Sequence, residues 1–200
     1  KTYSQASYDY NYWTFRPKIT LKYMLLKGLN VGYAFQTYRR VSPYAMVSDM
    51  RIRNNSREWT VGNPALKPSR VIQHTMSLDY YGDRVSNSMY MEYRRNLHCN
   101  MARYERTASD EFLYSQQNMG SISLFHVQDN LKYELVPEHL SVTLTGGINR
   151  YFNVCSLYRH YLTSYTYGGS VQAYLGKWTL QGYADNGWRF LEGERLGHNG

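Results

Sequence analysis

The sequence predicts an all-β protein, an antiparallel up-and-down sheet forming the wall of a transmembrane β-barrel. Three observations carry that prediction. Apolar and polar residues alternate with period two over segments of about ten residues. Tight connections alternate with long polar ones. Tyrosine, at 22 of 200 residues, supplies most of a 16% aromatic content. It favours strands, and it suits positions with one apolar and one wet end.

In chain order, the segment from Lys18 sets Ile19, Leu21, Tyr23 and Leu25 against Thr20 and Lys22. Val31, Tyr33 and Phe35 then oppose Gly32, Ala34 and Gln36, and Met76, Leu78 and Tyr80 oppose Thr75, Ser77 and Asp79. Next, Val85, Met89, Met91 and Tyr93 face away from Ser86, Ser88 and Glu92. Residues 121–135 alternate less cleanly, because Ile122 and Leu124 change phase into Phe125 and Val127. That break predicts a β-bulge or a partly non-membrane stretch. Leu140, Val142, Leu144 and Ile148 oppose Ser141, Thr143, Thr145 and Asn149. Tyr165, Tyr167, Val171, Ala173 and Leu175 oppose Ser164, Thr166, Ser170 and Gln172. Trp178 and Leu180 oppose Thr179, Gln181 and Tyr183. No helical periodicity accompanies this pattern.

The tight connections are KGLN (27–30), YGD (81–83), VPEH (136–139) and LGK (175–177). Long polar ones occupy residues 40–70, 96–111, 152–159 and 186 onward. All five prolines fall in connections or at strand starts, as a continuous sheet requires. Such a layout has one tight rim and one elaborate rim. It also fits a soluble sandwich or a lipocalin-like barrel. Three features favour the membrane: strands longer than the globular mode of about five or six residues, aromatic residues near strand ends, and polar opposite faces. Tyr10, Tyr12, Trp13, Tyr38, Tyr80, Tyr81, Tyr158, Tyr161 and Trp188 read as the interfacial girdle.

A mean hydropathy of −0.62, with no long apolar run, excludes a transmembrane helix and leaves a barrel possible. The net charge of +8 is dispersed in ones and twos, without the basic patch that nucleic-acid binding needs. Cys99 and Cys155 both fall in loop-like stretches, and the sequence allows either a disulfide or two free thiols. No hydrolase, zinc-protease, P-loop or dinucleotide motif is present, and the six histidines are scattered. No catalytic residue, metal or cofactor is therefore expected. His98–Cys99, Glu138–His139, Asp110–Glu111 and Glu192 with Glu194 read as polar loop groups. Tyr44, Arg51, Arg53 and Trp59, in the longest loop, are the candidate ligand-binding residues: their aromatic and guanidinium groups suit a sugar, siderophore or peptide. The chain opens on KTYSQASYDY, already strand-like, and closes on RLGHNG, which predicts a segment of a longer protein.

Residues 62–70, GNPALKPSR, resemble the GNPxLxPE element of TonB-dependent outer-membrane receptors. The passage RPKITLKYMLLKGLNVGYAFQTYRRVSPY before it resembles the strand–turn–strand–RxxxP passage of the Bacteroidetes outer-membrane β-barrel receptors. The segment beginning YSQQNMGSISLF is similar to the family's N-x-G-to-strand element. Gly62, Asn63, Pro64, Leu66 and Pro68 match the motif, while Ser69 replaces its usual acidic residue. The resemblance implies a 22-stranded barrel of which residues 1–200 form a single partial domain of eight or nine strands, without the plug. It further implies energy-coupled uptake of a ligand bound at extracellular loops, with outer-membrane lipid, lipopolysaccharide, plug, TonB and a surface lipoprotein as partners of the parent protein. A passive, porin-like or structural barrel is the alternative.

Overall fold

The computed structural model describes residues 15–192 and 195–199, and for residues 44, 45 and 195 the backbone alone. Strands β1 (Lys18–Leu26) and β2 (Leu29–Arg40) come first, followed by a single helical turn, α1 (Tyr44–Val47). Then follow β3 (Arg51–Arg53), β4 (Glu58–Val61), β5 (Ser69–Tyr81), β6 (Val85–Leu97), β7 (Asn100–Arg106) and β8 (Phe112–Asn118). The chain continues through β9 (Ser121–Val136), β10 (Leu140–Val154), β11 (Arg159–Leu175), β12 (Trp178–Asp185), β13 (Trp188–Glu192) and β14 (Arg195–Asn199). Eight strands make one sheet in the order β1-β2-β5-β6-β9-β10-β11-β12. All its pairings are antiparallel, as the alternating pattern predicts. Two smaller sheets, β3-β4-β8-β7 and β13-β14, complete the fold.

Register sorts the side chains into two unlike faces. One row across the sheet runs Leu21, Tyr33, Met76, Met91, Val127, Ile148, Tyr165. A neighbouring row on the opposite face runs Asn30, Asp79, Ser88, Asn130, Thr145. The polar row is internally bonded: Ser88 Oγ donates to Asp79 Oδ1 at 2.6 Å, and Thr145 Oγ1 to Asn130 Oδ1 at 2.9 Å. Among the described residues no second layer covers the apolar row, with Leu21 62% and Tyr165 65% exposed. A soluble sandwich would bury that face against a partner sheet. The buried apolar side chains are instead Val47, Leu66, Val71, Cys99, Met101 and Leu191, at or near the elaborate rim or in the terminal hairpin. Polar pairs interrupt the apolar face: Asn87 Nδ2 donates to Asp129 Oδ1 at 2.7 Å, and the Tyr33 hydroxyl lies 2.9 Å from His74 Nδ1.

The four tight connections lie together at one rim, between β1 and β2, β5 and β6, β9 and β10, and β11 and β12. The first of them requires glycine. Gly28 has φ +81°, and a Cβ there would sit 2.3 Å from the Tyr81 carbonyl oxygen. Glu138, with φ +63°, supplies the left-handed residue of the β9–β10 turn, which the His139 N–H closes onto the Val136 carbonyl at 3.0 Å.

Several local expectations change. The long connection expected over residues 152–159 shrinks to four residues, because β10 and β11 pair out to Val154 and Arg159. The irregularity expected over residues 121–135 is not at the phase change: pairing runs unbroken from Ser121 to Glu134, and Leu135 of β9 is the extra residue, between the partners of Leu140 and Ser141. Ile122 and Leu124 keep phase and point to the polar face, where Phe190 and Leu191 of β13 lie against them around one small cavity. A second register shift falls between Met24 and Leu26 of β1. The loop over residues 40–70 holds structure of its own in α1, β3 and β4. KTYSQASYDY, with Tyr10, Tyr12 and Trp13, lies outside the described residues.

Candidate functional site

The elaborate rim is built by the two longest connections, which meet as one sheet. β3 and β4 come from the β2–β5 connection, and β7 and β8 from the β6–β9 connection. The seam between them is parallel, pairing Glu58 with Phe112 and Thr60 with Tyr114.

GNPALKPS ties this rim to the wall. The Asn63 side chain accepts the Ala65 N–H at 3.0 Å and donates to the Gln116 carbonyl at 2.9 Å. The turn places Leu66 at 1% exposure, the most deeply buried large apolar side chain described. Asn118, at the end of β8, holds the Lys67 backbone from both sides. Its Oδ1 accepts the Lys67 N–H at 2.7 Å, and its Nδ2 donates to the Lys67 carbonyl at 2.8 Å and to the His98 carbonyl at 3.0 Å. Pro64 and Pro68 fix φ and extend the residues before them, so β5 begins already extended at Ser69. Gly120, φ +56°, stands where a Cβ would collide with the Val154 carbonyl oxygen, which explains the glycine of the N-x-G element.

Three of the four candidate ligand residues come together. Arg53 pairs with Trp59, and Arg51 lies two positions back on the same face of β3. Their guanidinium carbons stand 4.2 Å (Arg51) and 5.3 Å (Arg53) from the indole centroid. Arg53 also donates to the Asn55 and Ser56 carbonyls, and Arg51 lies 3.8 Å from a Glu111 carboxylate oxygen. The Trp59 indole N–H is buried without a hydrogen-bond partner. Tyr44 is placed in α1, and its side chain lies outside the described set.

Below the rim, the polar face forms a continuous wall. Tyr90 donates to Glu92 at 3.0 Å, Glu92 lies 3.5 Å from Arg94, and His126 Nδ1 is 2.7 Å from Asn149 Oδ1. A cleft of about 540 Å³ opens here between β9–β12 and the turn into β13, lined in part by His126, Asn149, Gln181, Tyr183 and Trp188. Neutral and paired polar groups suit passage or weak binding of a hydrated solute. Among the described residues, no three His, Cys, Asp or Glu side chains are grouped to hold a metal ion. Cys99 and Cys155 are both free thiols.

The polar wall, bare apolar band and two unequal rims are matched by sequence comparison. The model of the outer membrane protein beta-barrel family covers residues 1–190. The chain belongs to that family. Its apolar face is therefore the lipid-facing surface, its polar face the lumen, and its location the bacterial outer membrane, crossed by successive strands. The fold is similar to that of the siderophore receptor PirA from Pseudomonas aeruginosa, with a TM-score of 0.60 and 14% identity over 86% of this chain. The chain spans 38% of that receptor's length. No curated protein matches the sequence. Sequence reasoning passed over Asn118 as a working residue, although the N-x-G element that contains it was legible.

Proposed function

We propose that this chain is the wall and loop portion of a TonB-dependent receptor of the Bacteroidetes type, taking up a nutrient bound at its extracellular rim. One observation supports the reading above others: GNPALKPS, which resembles the receptors' motif, joins two long loops into a single bonded rim over a polar lumen. In this reading Arg51, Arg53 and Trp59 present a cationic, aromatic surface to the arriving ligand, and Tyr44 belongs to the same loop. The plug and TonB act through the parent protein, and a surface lipoprotein delivers or covers the ligand. The chain itself performs no chemical step; its contribution is a lipid-facing wall, a polar passage and a selective rim.

The test is uptake by cells carrying the intact parent gene, supplied with candidate sugars, metal chelates and peptides. Uptake should vanish when TonB is deleted or the proton gradient is collapsed. Uptake that persists would identify a passive porin-like channel instead. An Arg51→Ala/Trp59→Ala double variant should weaken ligand binding by about tenfold or more, since cation–π and rim anchors each contribute on the order of 1 kcal/mol.

A further inference from the structure

Four arginines of the rim and lumen stand beside carboxylates. On the rim sheet, Arg51, Arg103 and Arg106 each lie within 4 Å of a carboxylate, and on the lumen face Arg94 pairs with Glu92. The lipid-facing side of the wall carries a different cluster. Arg39, Arg70 and Arg95 share the apolar face of β2, β5 and β6 at the elaborate rim, all three are exposed, and none has a carboxylate partner among the described residues. Arg39 and Arg70 are directly opposite in register, and Arg95, opposite Ile72, is diagonal to Arg70. Arg70 Nε reaches only the Thr37 hydroxyl, at 3.4 Å. Like charges directly opposite on adjacent strands repel, so this arrangement is unfavourable unless an anion sits between them. Two strands beyond Arg95 and one row deeper, opposite Phe125, Arg150 lies on the same face, donating to Thr163 and 5.5 Å from the Phe152 centroid.

Depth agrees with charge. From Tyr80 near the tight rim to Arg70, β5 advances ten residues; at 3.3 Å each and a tilt of about 40°, that is roughly 25 Å, the height of a barrel's apolar band. The guanidinium row thus stands at the outer headgroup level. Below Arg39 and Arg70 is the row Thr37, Ile72, Arg95, Ser123; beneath it come Phe35, His74, Tyr93, Phe125 and then Tyr33, Met76, Met91, Val127. Charge, aromatic ring and aliphatic chain succeed one another as they do down an amphiphile.

We propose that Arg39, Arg70 and Arg95 form a binding site for the headgroup phosphate of an outer-leaflet glycolipid, whose acyl chains lie down the apolar rows beneath. Guanidinium donates to phosphate in bidentate pairs, and the bound phosphate removes the repulsion between Arg39 and Arg70. The site is independent of any uptake ligand, which meets the rim and lumen instead.

The test uses the intact parent barrel in neutral phosphatidylcholine nanodiscs, doped with phosphorylated lipid A or with the same lipid stripped of its phosphates. A separate arm adds inorganic phosphate as competitor. The phosphorylated lipid should bind at least about tenfold more tightly than the stripped form. An Arg39→Ala/Arg70→Ala/Arg95→Ala variant should lose that preference. A control variant removing the same charge from the rim, Arg57→Ala/Arg103→Ala/Arg106→Ala, should keep it. Heat-shifted gel mobility shows that each barrel is assembled, and glutamine at the three positions replaces alanine if the first variant fails that check. Equal binding of both lipids, equal loss in the control variant, or inorganic phosphate displacing the lipid at matched concentration would each overturn the proposal.

Discussion

Cys99 and Cys155 stand close to the same rim and differ sharply in environment. Cys99 is 1% exposed and its thiol donates to the Asn96 carbonyl at 2.9 Å, whereas Cys155 is half-buried in the four-residue β10–β11 turn. Burial pushes the Cys99 thiol up from 9.0 to about 11, despite the nearby Arg40 charge that pulls the other way. Only the thiolate is a nucleophile, and a raised pKa keeps Cys99 protonated up to about pH 11. Maleimide at pH 8 should therefore modify Cys155 in the assembled barrel and leave Cys99 untouched until denaturant is added. Mass mapping of the labelled peptides reads this directly, and equal labelling of both would refute it.

The elements of the wall and those of the rim depend on different kinds of information. A wall strand repeats in, out, in, out over many residues, so the lipid face through Leu21, Tyr33 and Met76 is written locally. The rim is not. β3 is three residues long and β4 four, too short for alternation to register, and β4 pairs with β8 across about fifty residues of chain. Ile122 and Leu124 were misleading for the same reason. An apolar residue on a polar face looks like a slip of phase unless the covering hairpin, some 66 residues later, is known. The candidate trio Arg51, Arg53 and Trp59 was found by residue type, while its stacking was invisible because it depends on the β3–β4 register. Asn118 illustrates what an element-level bond is worth. Asn118→Ala leaves the Lys67 N–H and the Lys67 and His98 carbonyls without their side-chain partner. These groups are exposed, so each lost bond costs about 0.5–1.5 kcal/mol, and the rim should open below the melting of the wall. Protease cleavage between residues 97 and 121 should accelerate in the variant while the barrel core stays resistant.

For the whole molecule, the decisive feature is the open sheet. Among the described residues, β1 and β12 are its outermost strands, and every residue of both is exposed. An unpaired strand edge cannot be left in hydrocarbon, because each unmet backbone group costs several kcal/mol. The 200-residue chain expressed by itself in detergent should therefore give no heat-shifted monomer on a gel and should associate edge to edge. Supplying the remaining strands of the parent barrel in trans should restore the shift. A compact, heat-shifted monomer from the chain alone would mean that β1 and β12 close on each other.

The Asn63–Gln116 and Asn118–Lys67 bonds carry a consequence in time. They join residues 53 and 51 positions apart, across two intervening wall strands. Contacts of that separation form late, after the loop between them has closed. Whichever end of the sheet is laid down first, the connection bearing GNPALKPS therefore has to wait for β8. Until then Leu66 has no finished pocket and the outer mouth stays unlatched. The last event in assembling this side of the barrel is thus the fastening of one loop by another.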